Sequence, residues 1–371
     1  MTHSENSIQK FARILVDYST KVKPGDLVGI RTSTAAEPLA RALYTRVLER
    51  GGFPHVIMQF PDEDELIFNH ARGDQYGFYS RFDHMAFKEF DVLIKAKAPV
   101  NTRELTQIDL DHQAMREKGM AELLSAQMRR GADGSLRWMS TIFPTPAYAM
   151  EAEMGTEAFQ EFFFRACHAD EATEDPVAHW QKVKKEQQAY IDRVQGHDLV
   201  ELRGPDVDLS LSVKGRVFDN ASGEYNLPDG EIYTGPVEES VNGWVRFTYP
   251  AVRKGVLVEG VELEFEDGKV VKATATKNQD YLLKMLDSDA GARYLGEFAV
   301  GLNYEIDRFS RNILLDEKIG GSFHIALGGG YPETGSKNRS AIHWDMICDM
   351  RQDSEILLDG ELVYKNGKFT F

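Results

Sequence analysis

The sequence predicts an α/β N-terminal domain with a mostly parallel sheet over residues 1–194, followed by an α+β C-terminal domain with an antiparallel sheet over residues 195–371. A length of 371 residues exceeds what one hydrophobic core usually serves. Helical and strand patterns alternate in the first half, whereas a period of two dominates the second half. A polar helical stretch, Pro176–Val194, lies between the two patterns.

Helices and strands are predicted to alternate in the first half. A helix over residues 7–22 places Phe11, Leu15 and Tyr18 on one face and ends before Pro24. A strand, a helix that two glycines end, and a second strand follow at residues 26–33, 36–50 and 55–60. Later strands are predicted at residues 90–96 and 137–144, and later helices at 103–118, 121–130 and 156–166. This alternation is typical of a mostly parallel sheet covered by helices.

Strands with alternating apolar and polar residues are predicted to dominate the second half. The first two lie at residues 198–203 and 206–214. Residues 256–265 and 270–276 flank Asp267-Gly268, a dipeptide that favours a hairpin turn. The remaining predicted elements are a helix at residues 280–290 and short strands at residues 356–358, 362–365 and 369–371. Hairpins of this kind indicate an antiparallel sheet.

The composition excludes several classes of function. A formal charge of -16 at pH 7 opposes a nucleic-acid or membrane-surface partner, because such partners are themselves negative. Residues 1–10 lack the apolar segment of a signal peptide, and no run of about 18 apolar residues could span a bilayer. Cys167 and Cys348 are too few for a disulfide framework. We therefore expect a cytoplasmic protein with no nucleic-acid and no membrane partner.

The sequence His343-Trp344-Asp345 is one candidate for metal chemistry. In a strand, residues two apart point to the same face, so His343 and Asp345 could bind one ion while Trp344 packs behind them. A nitrogen ligand with an oxygen ligand suits zinc, manganese, cobalt or iron. A surface pair or a structural hydrogen bond is the alternative interpretation of this common pattern.

A second candidate lies in a run of strand-like residues. Phe323, Ile325 and Leu327 are expected to form the buried face, which places His324 on the opposite face. Three glycines follow the run and precede Tyr331, so the backbone there can approach other groups closely. The alternative for His324 is a core histidine that is hydrogen-bonded to a backbone carbonyl.

Two glutamates complete the candidates. Glu231 follows a turn and precedes apolar residues, and Glu297 lies between Gly296 and an apolar stretch. Carboxylates in such surroundings are expected to be partly buried, and a buried carboxylate requires a positive partner or a metal ion. A salt bridge to arginine is the alternative for each.

Taken together, these segments resemble the M29 family of metallo-aminopeptidases, the aminopeptidase T and aminopeptidase S group. The similarity covers nearly the whole chain and rests on YSTKVKPGDLVGIRTS near the N-terminus and, in order, DGEIYTGP, YLGEFAVG, FHIALGGGY and SAIHWD. The resemblance implies two divalent ions per chain, zinc, cobalt or manganese, with Glu297 or Asp345 as the better candidate for the bridging carboxylate. It implies that Tyr331 is the active-site tyrosine and that the metal ligands are Glu231, Glu297, His324, His343 and Asp345.

The resemblance also implies an activity. A metal-dependent aminopeptidase would hydrolyse N-terminal residues from small peptides with a water molecule that two ions activate. The resemblance also implies that the enzyme is a homodimer. Glu231 or Glu297 would carry the proton, and Tyr331 would stabilise the oxyanion.

A ring-cleaving dioxygenase of the 2,5-dihydroxypyridine type is the alternative, since it resembles this scaffold and uses one iron held by two His and one Asp. Such a site would not need both glutamates, which favours the hydrolase. A non-catalytic binding protein is a third possibility, against which the complete ligand set and Tyr331 argue.

Overall fold

The computed structural model of the protein describes residues 3–253 and 255–371. The start of the polar segment at residues 1–10 thus lies outside the described residues. The chain divides into two compact units: Met1–Gln181 with Gly223–Pro228, and Lys182–Ser222 with Asp229–Phe371. This division falls inside the helix Pro176–Val194. The domain boundary after that helix stays a prediction.

Helices predominate in the first half of the chain and strands in the second. The helices are α1 (His3–Arg13), α2 (Glu37–Glu49), α3 (Glu63–His70), α4 (Arg81–Lys88), α5 (Leu110–Ala132), α6 (Pro146–Glu151), α7 (Thr156–Ala166), α8 (Pro176–Val194), α9 (Gln279–Leu286) and α10 (Ile313–Asp316). The first ten strands are β1 (Leu27–Ser33), β2 (Phe53–Gln59), β3 (Val92–Lys97), β4 (Arg137–Ile142), β5 (Leu199–Gly204), β6 (Val207–Ser212), β7 (Asp219–Ala221), β8 (Asn226–Leu227), β9 (Glu231–Thr234) and β10 (Asn242–Arg246). The others are β11 (Ala251–Arg253), β12 (Val256–Val258), β13 (Glu262–Glu266), β14 (Lys269–Thr274), β15 (Leu295–Gly301), β16 (Ser322–Gly328), β17 (His343–Asp349), β18 (Glu355–Leu358), β19 (Glu361–Lys365) and β20 (Lys368–Phe369). Within the described ranges, no helix has the length and apolar character that crossing a membrane would require.

The first unit contains a five-stranded sheet in the order β2-β1-β3-β4-β8. Every pairing in this sheet is parallel, which confirms the prediction for the N-terminal part of the chain. Its central strands are buried on both faces, as the complete burial of Val92 and Ile94 on one face and of Leu93 on the other shows. Such strands read as continuous apolar runs, because helices cover both sides of a parallel sheet.

The prediction of two separate helices at residues 103–118 and 121–130 is wrong. One helix, α5, runs without interruption from Leu110 to Ala132. Gly119 lies inside it, and a Cβ atom at this position would be 2.1 Å from the carbonyl oxygen of Gly77. Close packing against another backbone segment, not the end of a helix, accounts for this glycine.

The second unit contains two antiparallel sheets. The larger has the order β14-β13-β10-β6-β5-β18-β19-β20, and the smaller has the order β17-β16-β15-β9-β7. Val200 and Leu209 of the larger sheet share one hydrophobic core with Phe298 and Ile325 of the smaller sheet. The prediction of an antiparallel second half is confirmed.

Three predicted elements differ from the structure in extent. The predicted strand at residues 256–265 is two strands: β12 pairs with β11, and β13 pairs with β10 and β14. Gly260 separates them with φ +63, a conformation that ends the extended backbone. The helix predicted at residues 280–290 ends at Leu286. The helix predicted at residues 7–22 continues beyond α1 only as a π-helical segment, Ile14–Ser19.

Candidate metal centre

The smaller sheet of the second unit carries the five predicted ligands. β9 contributes Glu231, β15 contributes Glu297, β16 contributes His324, and β17 contributes His343 and Asp345. Side chains alternate between the two faces of a sheet, so the intervening residues point away from these five. The predicted buried face of β16, with Phe323, Ile325 and Leu327, is confirmed as part of the hydrophobic core.

Small residues lie between the ligands on the face that carries them. Ala326 pairs with Glu297 on one neighbouring strand and with Asp345 on the other. Ala299 pairs in the same way with His324 and with Tyr233. Residues directly opposite each other in an antiparallel sheet share a face. The two alanines therefore leave room for the polar side chains of the outer strands to converge.

Three groups of side chains bring their ligand atoms close enough together to hold a metal ion. In each group, one ligand atom from every residue lies within 4.8 Å of the others. The groups are Glu231 with Glu297 and His324, Glu297 with His343 and Asp345, and Glu317 with His324 and Asp345. The fold thus brings all five predicted ligands together and adds Glu317 to them.

Backbone carbonyls orient both histidines. Nδ1 of His324 lies 3.1 Å from the carbonyl oxygen of Glu317, and Nδ1 of His343 lies 2.7 Å from that of Gly329. Since a carbonyl oxygen only accepts hydrogen bonds, each Nδ1 carries the ring hydrogen of the neutral imidazole. In this neutral form Nε2 keeps a lone pair, and this is the usual arrangement of a metal-binding histidine.

Glu297 lies between the two imidazoles. Its Oε1 is 3.7 Å from Nε2 of His324, and its Oε2 is 3.3 Å from Nε2 of His343. Burial opposes ionisation of Glu297, but the two histidines hold its pKa well below the usual range of a carboxyl group. Burial likewise disfavours a charged His324, yet Glu297 and Glu231 raise the pKa of His324 to about 9. Positive charge is therefore strongly favoured at this position.

The sequence analysis missed two members of the cluster, Glu317 and Lys318. The Lys318 ammonium contacts Oε1 of Glu231, lies 2.9 Å from Glu317 and lies 3.6 Å from Asp229. Burial raises the pKa of Glu231 to about 8. Burial would lower the pKa of Lys318, but the three carboxylates hold it well above its usual range. In the sequence, the charged run 316–318 looks like a solvated surface, so it offered no signal.

Two buried carboxylate oxygens of the cluster lack a hydrogen-bond donor, as expected of atoms that bind a cation. Oε2 of Glu231 and Oδ1 of Asp345 have no hydrogen-bond partner among the described residues, although imidazole nitrogens lie 3.7 Å and 3.3 Å from them, respectively. A buried acceptor without a donor is unfavourable, and a bound cation would satisfy it. Carboxylate oxygens together with two imidazole nitrogens suit zinc, cobalt or manganese. The residues present therefore fit a divalent metal.

The three glycines before Tyr331 pack against the strand that carries Glu297. A Cβ atom at Gly296 would lie 2.4 Å from the carbonyl oxygen of Gly329 and 2.5 Å from that of Gly328. Real side chains do not approach backbone atoms this closely, so an added methyl group would move either the glycine run or β15. The close approach thus fixes the position of Glu297.

The Gly296→Ala variant is expected to lose about 1–3 kcal/mol of stability, as overpacked sites usually do. Chemical denaturation of the metal-free variant, followed by tryptophan fluorescence, measures the loss. Gly155→Ala is the matched control, because nothing lies within 4 Å of a Cβ atom at that position. Equal denaturation midpoints for Gly296→Ala and the wild type would contradict the packing argument.

Tyr331 lies at the edge of the cluster and is half-buried. The centroid of its ring is 5.2 Å from that of His343 and 5.4 Å from that of Tyr233. Burial, with the nearby charge of Glu297 and Asp345, raises the pKa of Tyr331 well above its usual value. The Tyr331 hydroxyl therefore keeps its proton at neutral pH and can donate a hydrogen bond.

Residues 4–369 of the sequence match the family described as Thermophilic metalloprotease (M29). The chain belongs to the M29 family. Aminopeptidase 2 of Geobacillus stearothermophilus is 27% identical over 418 residues, with 100% of this chain and 99% of that protein covered. Aminopeptidase T of Thermus thermophilus is 33% identical over 261 residues, which cover 63% of this chain and 60% of that protein.

A solved structure has the same fold as this M29 chain. Wild-type AmpT from Thermus thermophilus superposes with a TM-score of 0.85 at 22% sequence identity, over 98% of this chain and 99% of that one. Membership of the M29 family confirms the resemblance read from the sequence motifs. It favours the hydrolase over the ring-cleaving dioxygenase.

Proposed function

We propose that this chain is a metal-dependent aminopeptidase that hydrolyses peptides from their amino end and uses two divalent ions. The observation that carries this proposal is that the groups of ligand atoms overlap, since Glu297, His324 and Asp345 each belong to two of them. A carboxylate shared in this way is typical of sites that hold two ions close together. The M29 relatives that are named as aminopeptidases support the same activity.

The residues divide between two ions as follows. Glu231, Glu297 and His324 would hold one ion, and Glu297, His343 and Asp345 would hold the other, with Glu317 as a further ligand. When bound, the two ions supply a polarised scissile carbonyl and a water of lowered pKa. Zinc, cobalt and manganese all accept such mixed oxygen and nitrogen ligands.

The charge of the cluster supports two ions. Its five carboxylates are those of Asp229, Glu231, Glu297, Glu317 and Asp345, and Lys318 is its ammonium. If metal binding leaves both histidines neutral and all five carboxylates ionised, the cluster would carry four negative charges, which two divalent cations would neutralise. Buried charge is tolerated only when it is compensated in this way.

Residues of the chain itself would carry the remaining steps. The protonated hydroxyl of Tyr331 would donate a hydrogen bond to the oxyanion of the tetrahedral intermediate. Glu231 or Glu297 would carry the proton from the attacking water to the leaving amine. The excess of carboxylates would attract the positively charged amino terminus of a peptide.

Removal of metal by a chelator is expected to abolish hydrolysis of leucine p-nitroanilide, because no side chain in the proposed mechanism acts as a nucleophile. Cobalt, zinc or manganese should restore the activity. N-acetyl-leucine p-nitroanilide is the matched control substrate, since an aminopeptidase requires the free amino group and should leave it intact. Full activity in metal-free protein would refute the proposed function.

The family resemblance also implies an oligomeric state. We expect a homodimer, for which the hairpin edges of the second half are candidate pairing surfaces. Light scattering at micromolar concentration should give the mass of two chains, and the mass of one chain would contradict the prediction. We also propose a cytoplasmic location.

A further inference from the structure

Lys318 is a lysine inside the carboxylate cluster, and its side chain is only 2% exposed. Neither ligand set of the proposed metal centre includes it. Lysine is almost never fully buried unless it is paired, because removing an ammonium group from water is unfavourable by several kcal/mol. A lysine buried to this extent therefore requires oppositely charged partners.

The ammonium of Lys318 contacts carboxylates that belong to the proposed metal centre. It donates to Oε1 of Glu231 and lies 2.9 Å from Oε1 of Glu317. The backbone of Lys318 is also held, because the N–H of Asn303 donates to its carbonyl oxygen at 3.1 Å. The side-chain amide of Asn303 in turn donates to the carbonyl oxygen of Asp229 at 2.8 Å. Both ends of the lysine are thus anchored.

The contact with Lys318 leaves the two oxygens of Glu231 in different situations. Oε1 is engaged by the ammonium, whereas Oε2 is buried and receives no hydrogen bond from the described part of the chain. Oε2 lies 3.7 Å from Nε2 of His324, whose other ring nitrogen is directed at a backbone carbonyl. The oxygen without a hydrogen bond therefore faces a ring nitrogen that can bind a cation when the imidazole is neutral.

We propose that Lys318 is a positioning residue, which holds Glu231 by one carboxylate oxygen so that only the other oxygen is available to a divalent ion. This inference rests on the proposed metal-dependent function, because it requires Glu231 to be a ligand. A lysine suits the task because its compact ammonium can engage one oxygen of the Glu231 carboxylate and leave the other oxygen unoccupied. The planar fork of an arginine would engage both oxygens of the carboxylate.

Removal of the Lys318 ammonium should weaken metal binding if the lysine positions Glu231, but should strengthen metal binding if the lysine acts only through its charge. Lys318 repels a nearby divalent cation, so a neutral side chain would strengthen metal binding if charge alone mattered. If Lys318 positions Glu231, the same change weakens metal binding, because the carboxylate loses its fixed orientation. Loss of a group that orients a metal ligand typically costs about 10–100-fold in metal affinity.

Titration of metal-free protein with Co²⁺ in a calorimeter tests the proposal. Lys318→Met is expected to bind one of the two ions roughly 10–100-fold more weakly than the wild type. Lys318→Arg keeps the charge but would occupy both oxygens of Glu231, so we expect it to weaken binding as well. Lys272→Met is the matched control, because it removes the same charge from an exposed position of the same unit. Its Co²⁺ binding should equal that of the wild type.

A double-mutant cycle shows whether Lys318 acts through Glu231. If it does, Lys318→Met combined with Glu231→Gln should bind Co²⁺ no more weakly than Glu231→Gln alone. Fully additive losses, or unchanged or tighter binding in the Lys318 variants, would overturn the proposal. Circular dichroism checks the fold of each variant. Should Lys318→Met not fold, unchanged Co²⁺ binding by Lys318→Arg overturns the proposal and weakened binding supports it.

The wild-type titration separates this inference from the proposed function. Wild-type protein that binds no Co²⁺ refutes the metal-dependent function itself. Wild-type protein that binds two ions and hydrolyses leucine p-nitroanilide, together with Lys318 variants that bind both ions equally well, refutes only the role of Lys318.

Discussion

The Glu297→Gln variant is expected to lose most of its bound metal and roughly a thousandfold of its turnover, because two ions contribute several kcal/mol to the stabilisation of the transition state. Glu297 belongs to two of the three ligand groups, so its loss affects both proposed ions. Glutamine is neutral, and its amide offers one ligand oxygen in place of the two oxygens of the carboxylate. Elemental analysis of metal content and kcat on leucine p-nitroanilide, measured on the same sample, give the result.

Glu266→Gln is the matched control for this variant, because it makes the same change at an exposed position of the second unit. It should retain wild-type metal content and turnover. Because Glu297 belongs to both proposed ligand sets, the variant should bind both ions more weakly and not one ion alone. A Glu297→Gln variant with two tightly bound ions and normal turnover would remove Glu297 from the metal centre.

Loss of the Tyr331 hydroxyl is expected to lower kcat by roughly a hundredfold, the effect of removing one preorganised hydrogen-bond donor from an oxyanion site. The Tyr331→Phe variant should still bind both ions and show a similar KM, because its ring still packs beside His343. Steady-state kinetics on leucine p-nitroanilide, with metal content determined in the same sample, measure the effect.

Tyr233→Phe is the matched control for Tyr331→Phe. It removes a hydroxyl from the neighbouring ring, and that hydroxyl donates to Asp219 at 2.9 Å. We expect its turnover to stay within a few-fold of the wild type, a difference of less than about 1.4 kcal/mol in the barrier. If Tyr331→Phe turned over as fast as the wild type with two ions bound, Tyr331 would be a packing residue behind the glycine run.

The convergence of His343 and Asp345 follows from the sequence, because backbone geometry alone directs every second residue of a strand to the same face. The structure places both residues in one ligand group. The binding of metal by this group stays a prediction. His324 was assigned to the face opposite Phe323 and Ile325 by the same argument, and those two apolar residues do lie in the core.

Glu317 and Lys318 could not be found by such an argument. They follow the short helix α10, where no periodicity relates them to the ligands on the strands. Lys318 meets Glu231, a residue 87 positions earlier in the chain. Spacing in the sequence carries no information about a contact of this length.

The effect of a glycine on a helix or strand also could not be predicted from the sequence. Gly119 lies in the gap between two predicted helices, yet it is part of one continuous helix. A glycine is present there because the backbone of Gly77 packs closely against it. Gly260 lies inside one predicted strand, yet it separates two strands. Each residue allows both outcomes on its own, and the neighbouring chain selects between them.

The sequence by itself determined the change from a parallel to an antiparallel sheet and the inward face of β16. Both follow from the local spacing of apolar residues and from the length of the connections. Only the tertiary structure decided that Glu231 and Glu317 meet at the buried ammonium of Lys318. A buried charge is tolerated only where opposite charges at contact distance offset its desolvation, and here those charges come from segments that are far apart in the chain.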